Sequence, residues 1–315
     1  MKGTVYKSTG SWYLVKAEDG QFYECRIKGK FRIQGIKNTN PIAVGDRVSF
    51  ELETKSGKEA GVISEIEPRT NYIIRKSVNL SKQTHILAAN IDRLFLVVTI
   101  KDPITFTSFI DRILITAEAY GIQAVLVFNK TDLYDAEEQM EIEYLSHVYS
   151  TIGYECIEVS ALHSINMDKL KEMMKDRVSI FAGHSGVGKS SLINAVEPEL
   201  NLKTKEISAQ HLQGQHTTTF AEMYDLSFGG QIIDTPGVKG FGVVDMEKEE
   251  VSDYFPEFFE LKSSCKFNNC LHVNEPGCAV KEALDRNKIA WSRYESYLQI
   301  LEGDDTYRSD ISEEG

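Results

Sequence analysis

No apolar run in this sequence reaches the roughly 18 residues that a membrane-spanning helix needs, so no membrane partner is expected. Residues 1–15 carry charges and glycines but no apolar core segment, which argues against a secretory signal peptide and makes the cytoplasm the expected compartment. Cysteine is too sparse for a disulfide scaffold: five occur in 315 residues, and three of these stand close together near the end with a histidine among them. In a reducing compartment that clustering points to a metal rather than to disulfides. Positive charge is in deficit as well, and a net charge of −12 argues against a general nucleic-acid binder. What remains, with 42% hydrophobic residues and few prolines, is the composition of an ordinary soluble globular protein.

The length suits two or three domains, and the charge is unevenly spread along it. Residues 1–93 hold 16 Lys+Arg against 10 Asp+Glu, so a basic front precedes a strongly acidic remainder. Such a front suits selective binding of a polyanion; a solvated surface with uneven charge is the plainer alternative. The first 68 residues read as short strands. Segments 11–15, 21–27, 46–52 and 61–66 are rich in β-branched and aromatic residues and are punctuated by Gly, Asp and Asn. The pattern fits a small β-barrel, and the OB-fold is among the barrels that bind nucleic acid on one face. A scaffold or a protein-docking module would look the same.

The middle changes character. Leu94-Phe95-Leu96-Val97-Val98 is a continuous apolar run, as expected for a strand buried on both faces. A helix is expected over 109–120, and further strands at 124–128, 156–159, 178–182, 222–228 and 231–233. Strands alternating with helices predict an α/β domain with a mainly parallel sheet. After Gly242 the pattern turns irregular and then helical, with a last helix expected over 291–301 and an acidic tail over 302–315 that is expected to be disordered. The expected division is a barrel over 1–70, a nucleotide-binding α/β domain over 71–241 and a mostly helical, metal-binding part over 242–315.

Gly183-His184-Ser185-Gly186-Val187-Gly188-Lys189-Ser190 matches the phosphate-loop pattern G-x-x-x-x-G-K-[ST] at every fixed position. An expected strand precedes it, and Ser191-Leu192-Ile193-Asn194 opens a helix-compatible run behind it. Glycines let backbone N–H groups turn toward phosphate oxygens, and the helix N-terminus adds a favourable dipole. Lys189 is expected to reach the β- and γ-phosphates and to act in catalysis, and the Ser190 hydroxyl to ligate Mg²⁺. The loop alone does not distinguish ATP from GTP.

Asn129-Lys130-Thr131-Asp132 supplies that distinction. It matches the N-K-x-D pattern of guanine-binding proteins. Guanine offers N1–H and N2–H₂ donors on one edge, and the Asp132 carboxylate can accept both. Adenine has an acceptor at N1, which would leave the carboxylate facing a lone pair. Asn129 would hold the loop and the other base edge, and the Lys130 stem would cover a face of the ring. Ser160-Ala161-Leu162 follows the next expected strand and is similar to the S-A-x element whose backbone N–H meets guanine O6. Both loops fall at carboxyl ends of strands, where open α/β sheets bind their ligands.

Asp234-Thr235-Pro236-Gly237 matches D-x-x-G, in which the aspartate supports Mg²⁺ and the glycine N–H senses the γ-phosphate. Many GTPases place a water-orienting glutamine next; here that position is Val238, which predicts a low intrinsic rate or a water oriented from elsewhere. Upstream, Gln215-His216-Thr217-Thr218-Thr219 lies where the first switch belongs. Thr218 is the favoured Mg²⁺ ligand among the three threonines. His216 is a candidate for positioning water or stabilising charge, or is a polar loop residue without a catalytic part.

Cys265, Cys270, His272 and Cys278 place three soft thiolates and one imidazole within fourteen residues, a donor set suited to a closed, structural Zn²⁺ site. Cys25 and Cys156 fall on expected strands and read as core.

The order of these elements is N-K-x-D, S-A-x, phosphate loop, switch threonines, D-x-x-G, whereas ordinary small GTPases begin with the phosphate loop. The order resembles that of the circularly permuted GTPases. With the front barrel and the Cys-Cys-His-Cys set, nearly the whole chain resembles the RsgA (YjeQ) family of small-ribosomal-subunit-dependent GTPases. The resemblance implies an OB-fold front, a permuted GTPase domain and a zinc-binding C-terminal domain. It also implies GTP hydrolysis stimulated by the 30S subunit during that subunit's late maturation, with 16S rRNA as a partner and the chain acting as a monomer. His216 matches the family's proposed catalytic histidine, and Gln215 stands where many members carry a basic residue. A GTP-sensing binding module with slow hydrolysis, kept open by Val238, is the second reading, beside a GTPase acting on another ribosomal or RNA partner. A P-loop metabolic kinase is the third, and Asp132 opposes it.

Overall fold

The computed structural model describes residues 1–27, 41–55, 58–76, 84–200, 221–234 and 246–303. Strands β1 (Lys2–Ser8), β2 (Tyr13–Ala17), β3 (Phe22–Ile27), β4 (Arg47–Lys55) and β5 (Lys58–Ile66) run in the order β1-β2-β3-β5-β4, and β4 pairs back onto β1 to close a barrel. The alternation expected of half-buried strands is clear in β2, where Tyr13, Val15 and Ala17 point inward. They meet Val5, Cys25, Val48, Phe50 and Ile63 in the barrel core. Gly61 has a packing reason to lack a side chain: a Cβ there would lie 2.3 Å from Cys25 Sγ. Strand β1 was not expected, because its sequence KGTVYKS carries lysines near both ends and offers little contrast.

A separate hairpin follows, β6 (Tyr72–Lys76) and β7 (Thr84–Ala89). The α/β unit then contains β8 (Arg93–Val98), α1 (Thr107–Tyr120), β9 (Gln123–Phe128), α2 (Ala136–Thr151), β10 (Glu155–Glu158), α3 (Met167–Met174), β11 (Val178–Ala182), α4 (Lys189–Val196), β12 (Glu222–Asp225) and β13 (Gln231–Asp234). Its strand order is β10-β9-β8-β11-β13-β12, parallel except for the last, antiparallel pair. Leu94, Leu96 and Val98 of β8 face one apolar layer with α1, and Phe95 and Val97 face the other with α3 and α4, which explains the unbroken apolar run. The capping box of α2 pairs Asp135 with Glu138 and fixes where that helix begins. The strand expected over 222–228 stops at Asp225, because Gly229 and Gly230 adopt positive φ in a turn that leads directly into β13.

The barrel and the α/β sheet are joined edge to edge. β1 pairs antiparallel with β12 through Lys7 and Glu222, giving a continuous sheet of 11 strands. Polar contacts support the seam: Lys7 Nζ meets Glu222 at 2.9 Å, Lys16 Nζ meets Asp225 at 2.6 Å, and the Tyr6 hydroxyl donates to Asp225 at 2.7 Å. Part of the basic front is therefore matched by acids of the α/β unit. Four of its other cations, Lys28, Lys30, Arg32 and Lys37, lie outside the described residues.

Helices α5 (Lys248–Val251), α6 (Pro256–Lys262), α7 (Ala279–Asp285) and α8 (Trp291–Glu302) form the C-terminal unit around Phe255, Phe258, Tyr294 and Tyr297. Ile115 of α1 belongs to this same core, so the unit is seated on the α/β domain. Among the described residues no helix is long and apolar enough to cross a membrane. Residues 304–315 of the acidic tail lie outside the described residues.

Candidate functional site

The phosphate-loop residues lie between β11 and α4. Gly183 takes φ 140° and Gly188 φ 94°, and both are closely approached: a Cβ on Gly183 would meet Val97 O at 2.5 Å, and one on Gly188 would meet Asn129 Nδ2 at 2.4 Å. These positions require glycine for space as well as for backbone angle. Lys189 turns back over the loop and donates to the carbonyls of Gly183 and His184 at 2.7 and 2.6 Å. Its ammonium thus already sits inside the turn of backbone that the motif predicts for phosphate. Val187 is buried, Ser185 and Gly186 are exposed, Ser190 is half-buried, and Ser191 faces outward on the first turn of α4. The His184 ring stacks on Phe109 with centroids 3.6 Å apart. Burial, and then the nearby Lys189 ammonium, hold its imidazole below the usual histidine range.

The two expected base-reading loops end the neighbouring strands β9 and β10. Asn129, 1% exposed, ties them to the phosphate loop. Its Nδ2 donates to Val187 O at 2.8 Å, and its Oδ1 accepts from Ala161 N at 3.3 Å. Lys130 has φ 65° and donates from Nζ to the Asp102 carbonyl. Asp132 accepts from the Ser160 hydroxyl, which in turn accepts from His163 N at 3.1 Å. The imidazole Nε2 of His163 stands 3.8 Å from the other Asp132 oxygen. Ser160 is fully buried, whereas Leu162 is 78% exposed at the rim. Asn129, Asp132, Ser160 and Ala161 thus form one hydrogen-bonded unit with the phosphate loop.

Asp234 ends β13, with only β12 between it and the barrel seam, and Glu222 of β12 stands opposite it. Burial, and then the Glu222 charge, push its carboxyl up. His216, Thr217, Thr218, Thr219, Gly237 and Val238 lie outside the described residues.

The ligand atoms of Cys265, Cys270, His272 and Cys278 all lie within 4.8 Å of one another. His272 Nδ1 is 3.6 Å from Cys265 Sγ and 3.3 Å from Cys278 Sγ, so Nδ1 is the nitrogen turned into the cluster. Its φ of 59° turns the chain sharply at this point. Glu275 holds the turn by accepting from the backbone N–H groups of Leu271, Val273 and Asn274. The Tyr294 and Tyr297 hydroxyls donate to the carbonyls of His272 and Leu271 at 2.8 and 2.6 Å. Burial pushes the Cys270 thiol up to about 12 and the Cys278 thiol upward as well. Three thiols and an imidazole with their donor atoms this close fit a tetrahedral metal ion, which would draw the thiols into their ionised form.

The RsgA GTPase family model matches residues 66–244, and the RsgA N-terminal domain model matches residues 2–63. The chain belongs to the RsgA GTPase family. It is a GTP hydrolase. The small ribosomal subunit biogenesis GTPase RsgA of Christiangramia forsetii is 67% identical over 311 residues, covering 98% of this chain and 99% of that relative. The same-named protein of Flavobacterium johnsoniae is 65% identical, covering 99% and 96%. Among solved structures, YjeQ from Thermotoga maritima superposes with a TM-score of 0.77 at 37% identity, covering 96% of this chain and 97% of its own. YloQ, described as a circularly permuted GTPase, gives a TM-score of 0.74 at 30% identity, covering 100% and 96%. The permuted order read from the motifs therefore has a structural counterpart.

Several residues around the site carried no sequence signal. His163 beside Asp132, Phe109 beneath His184, and Asp102 under Lys130 each come from a loop or helix outside the motifs. Phe109 reads from sequence only as an apolar residue of an amphipathic helix.

Proposed function

We propose that the chain binds GTP across the loops at the carboxyl ends of β11, β9 and β10, hydrolyses it, and assists late maturation of the 30S ribosomal subunit, which stimulates the hydrolysis. The observation that carries the nucleotide reading is Asn129, whose side chain bonds both the phosphate loop and the loop at Ala161. The ribosomal reading rests on relatives of 67% and 65% identity that bear that function in their names.

In this reading the amides of Gly183 to Ser191 cradle the phosphates and the Lys189 ammonium moves from the loop carbonyls onto the β- and γ-phosphates. Asp132 accepts from guanine N1–H and N2–H₂ while Ser160 keeps its carboxylate oriented. The Ala161 amide faces O6, and Lys130 and Leu162 flank the ring. Ser190, Asp234 and Thr218 would hold Mg²⁺, which when bound neutralises phosphate charge. Gly237 would sense the γ-phosphate and His216 would orient the attacking water. Cys265, Cys270, His272 and Cys278 would hold one Zn²⁺, a structural ion whose four positions are all filled by protein. The barrel over 1–70 would supply the 16S rRNA contact, the unit over 71–241 the GTPase and that over 242–315 the zinc domain, in a cytoplasmic monomer.

Multiple-turnover GTP hydrolysis with purified 30S subunits, 50S subunits and free 16S rRNA tests the proposal. Stimulation by 30S subunits above the other two is expected. Equal rates with and without 30S would leave a GTP-sensing module instead.

A further inference from the structure

Helix α1 touches the phosphate loop on one side and the C-terminal unit on the other. Phe109, 6% exposed, stacks its ring on His184 with centroids 3.6 Å apart. His184 follows Gly183, which packs so close to Val97 that a Cβ there would lie 2.5 Å from Val97 O. Two residues beyond Phe109, Asp111 is fully buried and accepts at Oδ1 from Arg293 Nη1 at 2.6 Å and from the Tyr149 hydroxyl at 2.7 Å. Arg293 reaches back to Glu257 of α6 with two bonds, at 2.7 and 3.1 Å, and lies 4.5 Å over the Phe255 ring. Ile115, one turn after Asp111, is part of the C-terminal core. Residues two apart on an α-helix point about 200° apart, and residues four apart share a face. One side of α1 therefore carries Phe109 to the loop, and the other carries Asp111 and Ile115 to the C-terminal unit.

We propose that α1 couples the position of the metal-bearing C-terminal unit to the phosphate loop, with Arg293 and Phe109 as the positioning residues at its two contacts. The proposal rests on reading Gly183 to Ser190 as the phosphate loop. The chemistry of the contact favours transmission over slippage. A purely apolar interface can slide with small losses. A guanidinium held between two buried carboxylates cannot, because any displacement leaves charge unpaired away from water. Movement of α6 and α8 thus carries Asp111 and with it the whole rigid helix, and Phe109 shifts against His184. The coupling is reciprocal by linkage: nucleotide on the loop also biases the C-terminal unit. The phosphate loop is the direct contact of this path, and the guanine-reading loops on β9 and β10 join it only through Asn129, so the larger effect falls on the phosphates.

The test measures GDP and guanosine affinity on the full chain for the parent, Phe109→Leu, Arg293→Lys and the double variant, with metal content as a check on the C-terminal unit. Phe109→Leu keeps an apolar side chain but removes the stacking face, and Arg293→Lys keeps the charge but removes the forked geometry. The expected result is about tenfold weaker GDP binding in each single variant, a clearly smaller loss of guanosine binding, and a double variant little weaker than either single one, because both act on one path. Should Arg293→Lys release the C-terminal unit and lose its metal, the GDP defect must grow; a normal GDP affinity in that protein overturns the proposal. GDP affinity within twofold of the parent in both variants, or equal loss for GDP and guanosine, also overturns it. A parent chain that does not bind GDP overturns the nucleotide-site reading, and this proposal with it.

Discussion

Replacing Asn129 by alanine cuts the tie between the phosphate loop and the base-reading loops. The side chain is buried and makes two hydrogen bonds, to Val187 O at 2.8 Å and from Ala161 N at 3.3 Å. A neutral hydrogen bond contributes about 1 kcal/mol net, and the buried Val187 carbonyl left without its partner costs about 1–3 kcal/mol more. The Ala161 amide is half-buried and can turn to water. The loss is therefore about 2–4 kcal/mol, divided between folding stability and the preorganisation of the nucleotide site. At about 1.4 kcal/mol per factor of ten, Asn129→Ala should weaken GDP binding by about 10- to 100-fold, with the rest appearing as a lower unfolding midpoint. Gly188→Ala strikes the same bond from the other side, because its Cβ would stand 2.4 Å from Asn129 Nδ2. Calorimetric titration of GDP into the parent, both single variants and the double variant completes a cycle. A non-additive cycle is expected, with a coupling of at least about 0.5 kcal/mol. GDP affinity within twofold of the parent in a folded Asn129→Ala protein would mean that this side chain does not organise the nucleotide site.

Asp132→Asn should exchange base preference, because the amide offers a donor and an acceptor in place of two acceptors; weaker GTP binding together with gained binding of xanthosine triphosphate, read by competition, checks it. Cys278→Ser should reduce metal content, measured by elemental analysis, and lower the unfolding midpoint. With burial holding the Cys270 and Cys278 thiols above their ordinary range, metal binding must release protons, so metal retention should fall as pH is lowered; retention that rises on acidification would contradict the thiolate assignment. His216→Ala should keep GTP affinity and lose 30S-stimulated turnover, and unchanged turnover would remove this histidine from the mechanism.

How much was legible in the sequence depended on the physics of each element. Strands β8 and β9 stood out because parallel strands covered on both faces need an unbroken apolar run. The motifs read as phosphate and guanine loops stand out because the chemistry expected of them admits few residue types, and Gly183 and Gly188 have no room for a Cβ. The metal cluster was legible because three cysteines and a histidine are conspicuous in a chain otherwise poor in cysteine. Strand β1 was missed because its sequence, KGTVYKS, carries lysines near both ends that read as surface and offers little alternation. The seam between β1 and β12 was invisible because a pair such as Lys7 and Glu222, more than two hundred residues apart, leaves no local periodicity. Arg293 reads as one more charge on an amphipathic helix, and only the fold reveals that it is buried between Asp111 and Glu257.

The central claim is that Asn129 to Asp132 and Gly183 to Ser190, joined in space through Asn129, make a single guanine-nucleotide site. The most direct measurement is equilibrium binding of GTP and ATP, side by side, to the purified full chain with Mg²⁺. Tighter binding of GTP by about a thousandfold or more is predicted, because adenine would leave the Asp132 carboxylate unpaired. Equal affinities, or tighter binding of ATP, would contradict it.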